Sequence, residues 1–408
     1  MIKSGGENYL RELASEIFEF AGTNENVLRI KRWRDVNALR KPDRLPVYTY
    51  PSGAVWREII PNDSYRCGAG PMRDIEFALR GRLYKMFVGD DTPQQPYYPV
   101  EAVFDVEPAN TWGVDVSVHE AFSEGGSWAF DPAIMNEGDL EKLKVPVFTY
   151  NAVKTMLKLE SVAGILGDAM PVKLVCNNLL SANLGYHAAM LRGLQNLLTD
   201  VLIEPELLHR IMGYLTESVL NGIDALESTK MVTPNHEGDT THINYSDPIG
   251  EPGADGTYSM RNCWCVASSQ EFDPVSPGHW EEFSLNYQKR IFKRYGLISY
   301  GCCENLTWKA DGVMSIPNLR VFVCSPWSDL DRLIEKTGGR YVIQWRQRAS
   351  EIIFANDMST IRRHLRDGLE KLKGLSAHIM LREVETLNGN PELQKQWARV
   401  AIEEASAI

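Results

Sequence analysis

The sequence has no run of about 18 apolar residues, so no transmembrane helix is expected. Its first 22 residues scatter acidic side chains and hold no apolar block, so no signal peptide is expected either. No CxxC pair occurs, which removes a structural zinc motif. No glycine-rich segment joins a strand to a helix; Gly250–Gly256 has glycines but neither neighbour, so a dinucleotide or phosphate loop is not expected. Basic residues are outnumbered: 43 Lys and Arg against 54 Asp and Glu give a net charge of -11. That balance argues against sequence-independent nucleic-acid binding and against an anionic membrane surface. No repeat or low-complexity segment stands out. The expected location is the cytoplasm.

What is present fits a large α/β enzyme. The 408 residues exceed the ~250 that a (β/α)8 TIM barrel needs. Residues 1–43 read as an N-terminal helical extension, with Leu10, Leu13, Ile17 and Phe20 at helical spacing. From 44 to 408, strand and helix patterns alternate about eight times, the signature of a parallel α/β fold. Strands are expected at Leu45–Tyr50, Pro99–Val106, Val172–Cys176, Cys263–Ala267, Leu297–Cys302, Arg320–Cys324, Tyr341–Gln344 and Ile379–Leu381. Helices are expected over Pro71–Phe87, from Pro205 onward, and over Trp280–Tyr295, with Gly296 as the glycine that ends the last of these. Residues 107–146 read as a long loop excursion.

Seven cysteines, an odd number, point to reduced thiols rather than a disulfide framework. Five of them fall between Cys263 and Cys324. On a strand Cys263 and Cys265 share a face, whereas Cys302 and Cys303 would point to opposite faces. Neighbouring barrel strands lie ~4.8 Å apart, so a thiol from each could grip one soft ion such as zinc. A third ligand could come from His236, Glu237, Glu304, Glu383 or Glu385. Scattered buried cysteines are equally ordinary core residues. Asp91 could bond a substrate at a barrel end. Trp56, Tyr98 and Trp327 lead a set of aromatic residues that could floor a substrate pocket.

From about Pro171 to the end, the sequence resembles the uroporphyrinogen decarboxylase superfamily. The residues that carry this are the segment Ile203–His209, Asp273-Pro274-Val275-Ser276-Pro277, Tyr300–Asn305, and Arg382–Thr386 followed by Pro391 and Trp397. Leu45–Tyr48 and Gly89–Asp91 extend the match weakly. The superfamily's decarboxylases carry an arginine-rich segment after the first strand; here Pro51–Trp56 has none. Its corrinoid-dependent methyltransferases carry His-x-Cys-Gly; here Gly301 stands in the His position and Cys303 in the Cys position. The resemblance therefore implies a metal-assisted methyltransferase of O-demethylase type. Zn2+ would be held by Glu237, Cys263 and Cys303, with Cys265 as the alternate.

That reading implies a small methylated substrate, most naturally a methoxylated aromatic, and a separate corrinoid protein whose Co(I) takes the methyl group. No Asp-x-His-x-x-Gly segment occurs, so cobalamin would sit on the partner. Glu304 or Asp91 would protonate the leaving oxygen. A homodimer is the default assembly. A metal-free decarboxylase or lyase on the same barrel, or a small-molecule binding protein, are the alternatives.

Overall fold

The computed structural model describes residues 5–119, 129–238, 244–355 and 357–408. Two helices lead: α1 (Gly5–Ala21) and α2 (Asn24–Asn37). Thr23 caps α2 by accepting from Asn26 N at 3.3 Å. Strand β1 (Val47–Pro51) follows, then α3 (Gly53–Ile59) and α4 (Pro71–Val88). Pro71 opens α4, and Gly89, left-handed at φ 73°, closes it.

Next come β2 (Tyr98–Glu101), β3 (Phe104–Glu107), β4 (Ser117–His119), β5 (Ala129–Asp131), β6 (Val147–Tyr150) and β7 (Val172–Val175). The strand expected over Pro99–Val106 is thus two strands. β3 leaves β2 to pair antiparallel with β6, and β4 pairs antiparallel with β5, so one antiparallel pair frames the excursion and a second lies within it. Its residues 120–128 lie outside the described set. The second half adds β8 (Trp264–Ala267), β9 (Leu297–Tyr300), β10 (Leu319–Cys324), β11 (Val342–Gln347) and β12 (Ala377–Val384).

Six strands form one curled parallel sheet in the order β1-β12-β11-β10-β9-β8, and β2 with β7 forms a separate parallel pair. Eight parallel strands in this arrangement are TIM-like. Backbone ladders do not join them all: among the described residues they stop at two seams, β1/β2 and β7/β8. Side chains and loop backbone bridge both. At the first seam, Asp91 N donates to Val47 O at 2.8 Å. At the second, Asn235 Oδ1 accepts from Trp264 N at 2.7 Å, and Thr233 N donates to Cys176 O at 2.9 Å. The ladders therefore form a half-barrel plus a two-strand pair, in place of the unbroken eight-strand ring the strand count implied.

Alternation along β8 fixes which side chains face inward. Trp264 packs with Tyr48, Val321, Val342 and Met380 inside the sheet's curl. Trp33 and Val36 of α2 join this cluster, so α2 plugs the end where the strands begin. Trp33 meets His378 edge-on at 4.9 Å and donates to Asp91 O at 2.7 Å. Gly296 is not a helix-ending glycine. The helix before it ends at Phe292, and a Cβ on Gly296 would collide with Arg261 O and Ile249. Its value is its lack of bulk, which lets the chain pass close to the Arg261 carbonyl. No helix among the described residues is long and apolar enough to cross a membrane.

Candidate functional site

Chemically active groups gather where β9, β11 and β12 end. The cause begins at Gly301. Its φ is 115°, and a Cβ there would stand 2.8 Å from both Leu306 Cδ1 and Val323 Cβ. Only glycine meets both demands. The strand stops at Tyr300, so Cys302 and Cys303 sit in a bend and not in a ladder. Their sulfurs lie side by side at 3.5 Å. The opposed orientation expected from strand geometry is thereby overturned, because period-two alternation ends with the strand.

Glu383, near the end of β12, faces this pair. Its φ is 60°, an unusual value for a residue with a Cβ. Its Oε1 accepts from Arg346 Nη1 at 2.6 Å and from Cys303 Sγ at 3.3 Å. Arg346 has a fully buried side chain and also donates to Cys302 O at 2.9 Å. Beside them Arg382 lies 4.9 Å from the Tyr50 ring centre. Its Nη1 and the Oε2 of Glu383 are buried without partners. Buried polar atoms are rarely left so, and at a strand's C-terminal end a ligand is the natural partner.

The two thiols are unequal. A hydrogen bond from Cys303 holds the Cys302 thiol well below the ordinary cysteine range against its burial, with Arg382 and Arg346 adding to the effect. Cys303 is pushed the other way by that same hydrogen bond, by burial and by Glu383. The pair ionises as a Cys302 thiolate beside a Cys303 thiol. One S–H serves one acceptor at a time, so the Cys303 proton is shared in turn between Cys302 and Glu383. Beneath them, Glu304 braces two loops. Its Oε1 accepts from Ser269 N at 2.9 Å and its Oε2 from Cys302 N at 2.8 Å. Burial raises its carboxyl to about 7 despite these bonds.

Other residues expected at the site lie elsewhere. Asp91 sits where β1 begins, the opposite end from the thiols. Its oxygens accept from Arg32 at 2.6 Å, from Arg44 at 2.6 and 2.8 Å, and from Val47 N at 2.7 Å. It is a clasp with no capacity left for a substrate. Glu237 pairs with Arg34 of α2 at 2.6 Å. Cys263 and Cys265 alternate outward from Trp264, into the layer between sheet and helices. Burial raises the Cys263 thiol to about 12 and the Cys265 thiol as well. Trp56 packs between α3 and α4, against Phe77 at 5.7 Å and Tyr84 at 5.9 Å. Trp327 is 56% exposed beyond β10, with Arg348 at 5.0 Å from its ring centre.

The implied zinc therefore has no fitting donor set among the described residues. Glu237, Cys263 and Cys303 do not converge, and among the described residues no three His, Cys, Asp or Glu side chains form a metal-binding group. The thiols that do meet have a buried guanidinium for a neighbour, which disfavours a cation. Arg346 and Arg382, which matter most here, were not singled out in the sequence as site residues. The available signal was a charged residue close to the C-terminal end of an otherwise apolar strand.

A second feature opens along the β7/β8 seam. A cavity of about 850 Å3 is lined by Tyr98, Lys173, Asn183, Asn235, Glu237 and Trp264, among others. Its rim reaches the thiol loops. Asn183 Oδ1 accepts from Ser268 N at 2.9 Å, and the next residue, Ser269, donates to Glu304.

No protein-family model matches the sequence. No curated protein matches it either. Among solved structures, the chain is similar to a methyltransferase from Methanosarcina mazei, at 10% sequence identity and a TM-score of 0.50. That alignment covers 91% of this chain and 96% of the other. At such identity the likeness is one of fold.

Proposed function

We propose that this chain is a methyltransferase that moves a methyl group from a small methylated substrate, an ether of the methoxylated aromatic kind, to an acceptor protein docked at the barrel mouth. The observation that carries this is the unpartnered Arg382 Nη1 beside the Cys302–Cys303 pair, at the strand ends where such barrels do chemistry. The fold shared with a protein named as a methyltransferase agrees with it.

An ether is a poor methyl donor because its leaving group is an alkoxide or phenoxide. When the methyl–oxygen bond breaks, the electron pair stays on oxygen, and a preorganised cation lowers that cost. Arg382 is placed to supply it, while Arg346 is already spent on Glu383 and the Cys302 carbonyl. The oxygen then needs a proton. Glu304, at about 7, holds one for part of the time near neutral pH, and the protonated Cys303 stands next to the mouth. The acceptor in this reading is the Co(I) of a separate corrinoid protein, which supplies a nucleophile no side chain can match. Because the donors for zinc do not converge, no step here uses a metal.

One observation favours a second reading. The arginines missing after the first strand are replaced by Arg346 and Arg382 on the last two. The open Arg382 guanidinium, with Arg346 fixed behind it, also suits a carboxylate, as a metal-free decarboxylase would require. The discriminating experiment offers the protein free cob(I)alamin with 2-methoxyphenol and follows loss of the Co(I) absorbance, with methoxybenzoates assayed in parallel for released CO2. Methyl transfer that falls at least tenfold in Arg382→Leu supports the proposal. CO2 release without demethylation replaces it with the second reading.

A further inference from the structure

The cavity along the β7/β8 seam carries an inference about what is bound. At about 850 Å3 it has the size of a small-molecule site. Its charges cancel or are engaged. Glu237 is paired with Arg34 at 2.6 Å. Arg82 donates to Gln94 Oε1 at 3.0 Å, to Tyr97 O at 3.1 Å, and to Gln95 O. Lys173 and Glu101 are one charge of each sign. Burial keeps the His236 imidazole neutral by lowering its pKa.

What remains is neutral and polar. Asn244, 1% exposed, has its Nδ2 buried without a partner, and His236 Nδ1 is likewise unpartnered. Both line the cavity, and Asn177 and Asn178 belong to its lining as well. Tyr98, Tyr258 and Trp264 contribute ring surface. Amides that donate and accept, set among aromatic faces, match a flat-sided ring studded with hydroxyl or ether oxygens. A charged aromatic acid would meet Lys173 and Glu101 alike, one attracting it and one repelling it. A purely apolar ring would leave Asn244 and His236 unsatisfied, at the cost of buried unpaired polar atoms.

We infer that this cavity binds a neutral, polyhydroxylated ring of sugar type, presented with an O-methyl group toward the thiol loops through the Asn183 rim. The inference rests on the methyl-transfer reading for the ether and puts a sugar ring where that reading has an aromatic one. Binding itself does not.

The test is isothermal titration of the full chain, without any corrinoid, using 3-O-methylglucose, methyl α-glucopyranoside, 2-methoxyphenol and 2-methoxybenzoate. Saturable binding of the sugars is expected, with no binding of 2-methoxybenzoate. Asn244→Leu and His236→Leu should each weaken sugar binding about tenfold, the usual value of one hydrogen bond to a buried group. Circular dichroism melting checks both variants, and His236→Leu decides alone if Asn244→Leu does not fold. Cys302→Ser should bind the sugar as the parent does. Absence of sugar binding, preference for 2-methoxyphenol, or sugar affinity unchanged in both cavity variants would overturn the inference. Sugar binding without transfer from any ether keeps the cavity's ligand and removes the methyl-transfer reading; transfer from an aromatic ether without sugar binding does the reverse.

Discussion

At the residue scale, reactivity here is decided by neighbours and not by residue type. Seven cysteines are present, yet only Cys302 has surroundings that favour its thiolate, while burial holds Cys263, Cys265 and Cys324 protonated. Limited iodoacetamide labelling at pH 7 should therefore modify Cys302 first, as read by peptide mass spectrometry. Labelling of Cys263 or Cys265 at a similar rate would contradict the electrostatic account. His378 offers a pH-dependent measure of stability. Burial, then Arg346, lowers its pKa from 6.5 to about 3. A base whose folded pKa is depressed stabilises the fold above its unfolded pKa, and loses that contribution as pH falls from about 6.5 toward 3. The urea midpoint of the parent should drop between pH 7 and pH 5, and His378→Phe should drop less. Glu304 has the opposite sign. Its folded pKa is raised from 4.5 to about 7, so its contribution is full below about 4.5 and fades as pH rises through 7. Little of this was legible in the sequence. The cluster of cysteines was visible, but which one ionises depends on Arg346 and Arg382, some 40 and 80 residues further on and brought back by β11 and β12.

At the element scale, the sequence was far more informative. Apolar runs place all eight parallel strands, and helical spacing places the helices over Pro71–Phe87, from Pro205 onward and over Trp280–Tyr295, because most of these strands are buried apolar runs and each helix buries one stripe. The errors fall where a single backbone angle changes the geometry. The strand expected to run through Cys302 stops two residues short because Gly301 turns the chain, and that turn brings two neighbouring thiols onto one side. Gly301→Ala should cost about 1–3 kcal/mol through its φ and its crowding against Leu306 and Val323. It should also separate the thiols, so that a bivalent trivalent-arsenic reagent, which bridges close dithiols in the parent, no longer does so. Gly296→Ala should destabilise by a similar amount for a different reason, collision with the Arg261 carbonyl, and leave the dithiol reagent's binding intact.

At the scale of the whole molecule, the two ends of the strands have separate duties. The end where the strands begin is sealed by α2 and by the Asp91 clasp, while the end where they stop carries the thiols. Asp91→Asn should therefore cost roughly 3 kcal/mol, since Arg44 loses its counter-charge and Arg32 keeps only the exposed Asp43, as measured by chemical denaturation. Substrate affinity per folded molecule should be unaltered. The sequence could not separate these ends: Asp91 and Glu304 are both acidic residues beside a predicted element, and only the direction of the strands tells them apart. Nor could it show that the backbone ladder is interrupted twice, since strand patterns count staves without saying which are nailed together. That interruption has a mechanical consequence. The β2–β7 pair is held to the larger sheet by a few side-chain and loop hydrogen bonds, each worth on the order of 1 kcal/mol. It is the stave of the cask with the fewest nails, and its place beside the six-strand sheet is set by the Asn235 side chain and the Thr233 backbone, with no ladder to share the work.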